Sequence, residues 1–339
     1  MKLYYLRFVY YFNAPTFDGL TILKIKETIG VRVIEAKCRL SLDEWLESSD
    51  DSRHKLLVPN QVLGPDLAFS PLVLIQLTDF KCRGKSVGMS WSHVLGDVFS
   101  AVGFINLWAQ AMEGHYPAQP LTMAQQRNHT FDFQNPNQSP IADPMSTKRV
   151  GPVGDLWSPS NHSKMGTIFL SYFIIRVNSV AIRDGLGPNV VTVCRNGMKN
   201  RHKGIIANES QTIGLVKTDM PVGKYKPMEL GSLLMNKVDD ERLKIEEVME
   251  RHDALLDFLI YGANLTFVDL SSTSFYEMEV RGQKPIHVNC FIDNIGDEGI
   301  VLVLPTSNGC SDERIASVTL PENQVYKLKL MLKEDWGLA

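Results

Sequence analysis

No uninterrupted run of about 18 apolar residues occurs in these 339 residues, so no stretch is long enough to cross a bilayer as a helix. An excess of one charge is also missing. With 35 Lys and Arg against 38 Asp and Glu, the formal net charge is -3, which leaves no broad field to draw the chain to nucleic acid or to an anionic membrane. The 5 cysteines (Cys38, Cys82, Cys194, Cys290 and Cys310) are scattered, with no C-x-x-C and no Cys/His cluster at metal-ligand spacing. Neither a disulfide framework nor a metal centre is indicated, and reduced thiols in a cytosolic compartment fit best. The opening stretch from Met1 to Phe12 is apolar, but Arg7 interrupts it and no small-residue cleavage pattern follows, which argues against a secretory signal. No repeat period is apparent.

What remains, 44% hydrophobic and 22% charged, is the composition of a globular protein long enough for two cores. Alternation of Leu, Tyr, Val and Phe makes residues 3–12 a strand. Asp18 to Ile29 reads as a short helix, Val31 to Ala36 as a second strand, and Asp43 to Leu46 as a helical turn. Leu72 to Phe80 and Ser86 to Ser90 form a hairpin around Arg83-Gly84-Lys85. Residues 116–165 are rich in Pro, Asn, Gln and Ser and read as a connection between a domain at 1–115 and a strand-rich one at 166–339. In the latter, Ile245, Val248, Met249, His252, Leu255, Leu256 and Leu259 share one face at a 3.6 period and predict one long amphipathic helix. Strands at Leu265 to Asp269, Ile286 to Ile292 and Gly299 to Leu304 follow, then a closing helix near Glu322 to Leu332.

One constellation carries chemistry. Among 8 histidines only His93 has an aspartate four positions on, in His93-Val94-Leu95-Gly96-Asp97, with a strand (Val87 to Ser92) running in and a helix (Val98 to Trp108) running out. A turn at such a junction orients an imidazole while leaving it reachable. On spacing alone, a histidine satisfied by backbone at a strand end is the commoner arrangement, and Trp91 and Trp108 are more often core than ligand contacts.

With its flanks, this stretch resembles the His-x-x-x-Asp signature of the BAHD family of plant acyl-CoA-dependent acyltransferases. Leu63 to Leu67, Phe69 to Leu72, Cys82, Gly88 to Ala101 and Tyr261 to Val268 resemble, more narrowly, the eceriferum-type (Glossy-type) proteins of cuticular wax formation. The resemblance spans nearly the whole chain. It departs at Val98, where family enzymes usually place Gly, and it implies that two pieces are missing, one between Ile29 and Gly30 and one between Val177 and Leu186. The chain also starts almost at the first strand, without the usual leader. Lost helical turns imply lost core, so stability is expected to suffer.

The resemblance implies an α/β fold of the chloramphenicol-acetyltransferase type, two domains with mixed sheets flanked by helices and an active-site cleft between them. His93 would be the general base toward an alcohol or amine, with an unperturbed pKa of about 6.5, and Asp97 would hold the turn by pairing with an Arg, Arg195 being the candidate. The second signature, Asp-Phe-Gly-Trp-Gly, falls on Glu279, Val280, Arg281, Gly282 and Gln283, which keep the acidity of the first position and no identity. Arg281 stands where Gly supplies backbone freedom, and Gly282 where Trp supplies an anchor. Eceriferum-type proteins share that loss. The resemblance therefore implies an accessory of the fatty acid elongase condensing enzyme (3-ketoacyl-CoA synthase) at the cytosolic face of the endoplasmic reticulum, or, as the alternative, a working acyltransferase. Acyl-CoA is its expected substrate or ligand, no cofactor is required, and a monomer is expected. The basic run Lys199 to Lys203 reads as a solvated loop, and the sequons at Asn128, Asn161, Asn208 and Asn264 as idle.

Overall fold

The structure is a computed structural model, and it describes residues 4–13, 31–47, 51–60, 71–115, 122–123, 144–150, 162–165, 177, 189–197, 205–206, 211–226, 229–230, 233, 239–251, 257–307 and 313–336. The helix expected at Asp18 to Ile29, both expected missing pieces and the Lys199 to Lys203 run lie outside these residues, as does most of the expected connection.

Two mixed sheets organise the chain. The first contains β1 (Tyr5–Phe12), β2 (Val31–Lys37), β3 (Val73–Asp79) and β4 (Lys85–Ser92). The second contains β5 (His162–Met165), β6 (Val190–Asn196), β7 (Gln211–Lys217), β8 (Asp239–Asp240) and β9 (Thr266–Asp269). Next in the chain is β10 (His287–Asp293), which leaves its sequence neighbours and pairs antiparallel with β1. β11 (Ile300–Pro305) and β12 (Arg314–Pro321) return to the second sheet. The strand orders are β10-β1-β4-β3-β2 and β8-β7-β6-β9-β11-β12-β5. Within the described strands of these two sheets, parallel pairing joins β2 with β3 and β9 with β6 and β11. Lys148–Val150 and Asp257–Leu259 form a small separate ribbon.

Among the described residues four helices flank the sheets: α1 (Leu42–Leu46), α2 (Val98–Met112), α3 (Arg242–Arg251) and α4 (Glu322–Trp336). α1 starts with a capping box, in which the Glu44 N–H donates to Ser41 Oγ (3.2 Å) and the Ser41 N–H to Glu44 Oε2 (2.7 Å). α4 lays Val325, Leu328 and Leu332 on Val191, Val193, Val301, Val303 and Val318 of the second sheet. The long helix expected from Ile245 to Leu259 is corrected: α3 ends at Arg251 and Leu259 belongs to a strand. A short apolar run fits a helix face and a strand equally well, and spacing cannot separate the two.

The largest core cluster draws on both sheets. Leu6, Phe8, Met89 and Trp91 of the first pack with Cys194, Ile213, Val268 and Leu302 of the second, and with Phe99, Val102 and Ile105 of α2. On the other face of the first sheet, a 3-10 segment at Asp51–Leu57 crosses β4 so closely that a Cβ on Gly88 would sit 1.8 Å from the Leu57 carbonyl oxygen. Arg7, buried in β1, ties the region after that segment down. Its guanidinium donates to the Pro59 carbonyl, to Ser90 Oγ and, from Nε, to Asp293 Oδ2 at 2.9 Å. No described helix is long and apolar enough to cross a membrane.

Candidate functional site

β4 ends at Ser92, and the chain turns at once. The Leu95 N–H donates to the Ser92 carbonyl (3.0 Å), the Gly96 N–H to the His93 carbonyl (3.2 Å), and the Trp91 indole N–H to the Gly96 carbonyl (2.9 Å). The turn is thus closed by its own backbone and by a tryptophan that is core. Asp97 is the N-cap of α2, with extended backbone (φ -70°, ψ 179°), and its Oδ1 accepts from the Ser100 N–H at 2.9 Å. The first turn of the helix, Val98 to Val102, is buried all round, Ile105, Trp108 and Ala109 continue along one side, and α2 stops at Glu113, with Gly114 in the left-handed conformation (φ 84°). Asp97 therefore has a structural task that needs no catalysis. Arg195, the candidate partner of Asp97, lies in β6 next to Cys194.

His93 is buried between the two sheets. Its backbone N–H donates to the Tyr4 carbonyl (3.0 Å), and its ring meets those of Tyr4 (5.8 Å between centroids) and Tyr261 (5.4 Å) edge-on. The two tyrosines also meet edge-on at 5.1 Å. Polar contacts close the group: His93 Nε2 lies 3.1 Å from Tyr261 Oη, Tyr261 O–H donates to Gln211 Oε1 (2.9 Å), and the Ile260 N–H donates to Tyr4 Oη (2.8 Å). Burial, which penalises the imidazolium, pushes the His93 pKa down to about 4, opposed more weakly by a hydrogen bond to its own backbone. Burial likewise raises the Cys194 thiol to about 12, with a Gln211 hydrogen bond pulling the other way. Tyr4, Tyr261 and Gln211 were not legible as site residues. Tyr261 lies 168 positions from His93, and no local spacing connects them.

The second signature is not brought to this group. Val280 and Gln283 exchange both backbone hydrogen bonds, each N–H donating to the other carbonyl at 3.0 Å, which closes a two-residue hairpin turn over Arg281 and Gly282. Both central residues are left-handed, Arg281 at φ 52° and Gly282 at φ 71°, the pattern of a type I′ turn. Val280 is buried in the core, while Glu279, Arg281, Gly282 and Gln283 are exposed. The Arg281 N–H donates to Glu113 Oε1 (2.7 Å), fastening the turn to the end of α2. The backbone freedom expected of the position held by Arg281 is indeed demanded there, and an arginine supplies it.

Among the described residues no group of three or more His, Cys, Asp or Glu is placed to hold a metal. Asn264 is tied in by its side-chain amide, which donates to the Met145 carbonyl at 2.8 Å.

Two mixed sheets sharing a core, with a strand-turn-helix histidine at their junction, define an acyltransferase-type architecture. Solved structures agree: that of vinorine synthase superposes with a TM-score of 0.66 at 14% identity, covering 97% of this chain and 90% of that one. The Fusarium sporotrichioides TRI101 structure complexed with coenzyme A and T-2 gives 0.65 at 14%, covering 96% and 93%. At such identities the likeness concerns the fold. A model described as the Transferase family matches residues 27–150. Protein ECERIFERUM 26-like of Arabidopsis thaliana is 35% identical over 98% of this chain and 89% of its own length, and Protein ECERIFERUM 2 of the same plant is 35% identical over 88% and 74%. The chain belongs to the BAHD acyltransferase family, on its eceriferum-type branch. The alignment with the first of these relatives runs over 387 positions against a chain of 339, so at least 48 of its positions have no counterpart here.

Proposed function

We propose that this wax-related protein promotes very-long-chain fatty acyl elongation as a non-catalytic accessory of the elongase condensing enzyme, a 3-ketoacyl-CoA synthase. It acts as a monomer at the cytosolic face of the endoplasmic reticulum, with acyl-CoA or the nascent acyl chain as its ligand. The observation that carries this reading is the turn at 280–283: where family enzymes have the Asp-Phe-Gly-Trp-Gly loop, this chain has a tight hairpin with only Val280 in the core. The histidine supports it from the other side. A general base works best with a pKa near the operating pH, and a ring held at about 4 by burial is far from that optimum. The names of the relatives support the coarser part of this reading, a wax-related protein.

The test is co-expression of the full chain with a plant condensing enzyme in a host lacking very-long-chain waxes, reading acyl-chain lengths by gas chromatography. Both the wild type and His93→Ala are expected to lengthen the products, and abolition of the shift by His93→Ala would sink the accessory reading. The acyltransferase alternative predicts instead that purified protein releases CoA thiol from acyl-CoA in the presence of an alcohol, and that His93→Ala stops it.

A further inference from the structure

The ring nitrogen that would serve as base already has a hydroxyl on it. Tyr261 Oη lies 3.1 Å from His93 Nε2, within the reach a general base needs of the proton it removes, so this phenol occupies the place an acceptor alcohol would have to take. Tyr261 has a single proton to give. If it goes to Gln211 Oε1, as the 2.9 Å contact has it, then Nε2 must carry hydrogen and donate to Tyr261, which makes it no base. If the Gln211 amide is turned over and donates instead, the Tyr261 proton goes to Nε2 and its lone pair is spent. In both arrangements Nε2 is taken.

We propose that Tyr261 is a built-in plug of the site: its hydroxyl, fixed by Gln211, occupies the acceptor position on His93 and closes the inherited base to any external alcohol or amine. This rests on the non-catalytic reading of the same site and names the residue that enforces it. Three features hold the plug. Tyr261 is 1% exposed, its ring is wedged edge-on between Tyr4 and His93, and its backbone is fixed where the Gly296 N–H donates to the Tyr261 carbonyl at 2.8 Å. Gly262 comes next, and a Cβ on it would fall 2.6 Å from Gly296 backbone atoms, so the segment carrying Tyr261 has no room to retreat. The hydroxyl is no proton donor to substrate either, because burial raises its pKa well above the ordinary phenol range.

The test reads the imidazole directly. The folded full-length protein is treated with diethylpyrocarbonate, and carbethoxylation of each histidine is followed by peptide mass spectrometry in the wild type, Tyr261→Phe and Tyr261→Ala. His93 is expected to be nearly inert in the wild type, to react at least tenfold faster in Tyr261→Phe, and faster again in Tyr261→Ala. His287, on the opposite face of the first sheet, should keep its rate and so reports that the fold is intact. Should Tyr261→Ala loosen the whole molecule, His287 will speed up too, and Tyr261→Phe, which keeps the ring and loses one oxygen, decides alone. Rates at His93 within twofold of each other in wild type and Tyr261→Phe overturn the plug. The outcome is separable from the accessory function: an unplugged His93 with unchanged chain-length shift leaves both standing, whereas a wild type that shifts no chain lengths ends the accessory reading and leaves the plug intact.

Discussion

The two family signatures meet opposite fates in this molecule. The His93 to Asp97 turn is embedded: Trp91 spans it, Asp97 caps a 15-residue helix, and His93 itself joins the two sheets through Tyr261. The segment at 279–283 is an exposed hairpin with Val280 in the core and the Arg281 N–H donating to Glu113. The first motif bears packing and capping whether or not it does chemistry, and in the second only Val280 is committed to the core. A preserved motif is therefore weak evidence of activity when its residues also bear the packing.

The same substitution placed in each region gives the widest contrast. Gly88→Ala, in the strand that delivers His93, pushes a methyl group into the Leu57 backbone, and we expect a loss of about 3 kcal/mol or more, or no folded protein, by urea unfolding. Gly282→Ala has open space around it and pays only for its left-handed backbone, about 1 kcal/mol. Equal losses at the two sites would break the contrast.

Acid should find the buried region next. The folded pKa of His93, about 4, lies below the value of about 6.5 in the unfolded chain, so the unfolded state takes up this proton first. This contribution to stability is whole above about pH 6.5 and is lost as the pH falls toward 4, amounting to about 3 kcal/mol across that window. Urea titrations at pH 7 and 4.5 measure it, and His93→Gln should flatten most of the difference.

Asp97→Ala removes the cap of α2 and is expected to cost about 1 to 2 kcal/mol, while Asp97→Asn, which can still accept from the Ser100 N–H, should cost less than half as much in the same assay. If Asp97→Asn were equally costly, charge rather than capping would be what matters there. The smallest effect belongs to the hairpin. Arg281→Gly relieves a left-handed arginine and should raise the unfolding free energy in urea slightly, by about 0.5 kcal/mol net of the chain entropy glycine adds.

Much of this architecture was readable in advance where local pattern decides it. Alternating aromatic and aliphatic residues marked β1, the Arg83-Gly84-Lys85 turn marked the hairpin of β3 and β4, and the apolar pattern from Val98 to Trp108 marked α2. β12 escaped notice although Ile315, Val318 and Leu320 are buried, because its pattern is brief and ends in Pro321. The helix expected to reach Leu259 failed for the complementary reason: apolar spacing persisted where the backbone had changed type. His93 and Asp97 stand out because their four-residue spacing falls between a legible strand and a legible helix. Their partners Tyr4, Tyr261 and Gln211 were hidden because only the completed fold brings them near, and a tyrosine in a strand-rich chain looks like core until its hydroxyl is located.

The placement of β10 bears on how the molecule comes into being. Tyr5 is registered opposite Asp293, so one edge of β1 stays without this partner until a strand far along the chain has been made. Closing so long a loop is slow, and the waiting edge, rich in tyrosine and phenylalanine, is the kind that chaperones cover. Any truncation before residue 287 leaves that edge permanently bare.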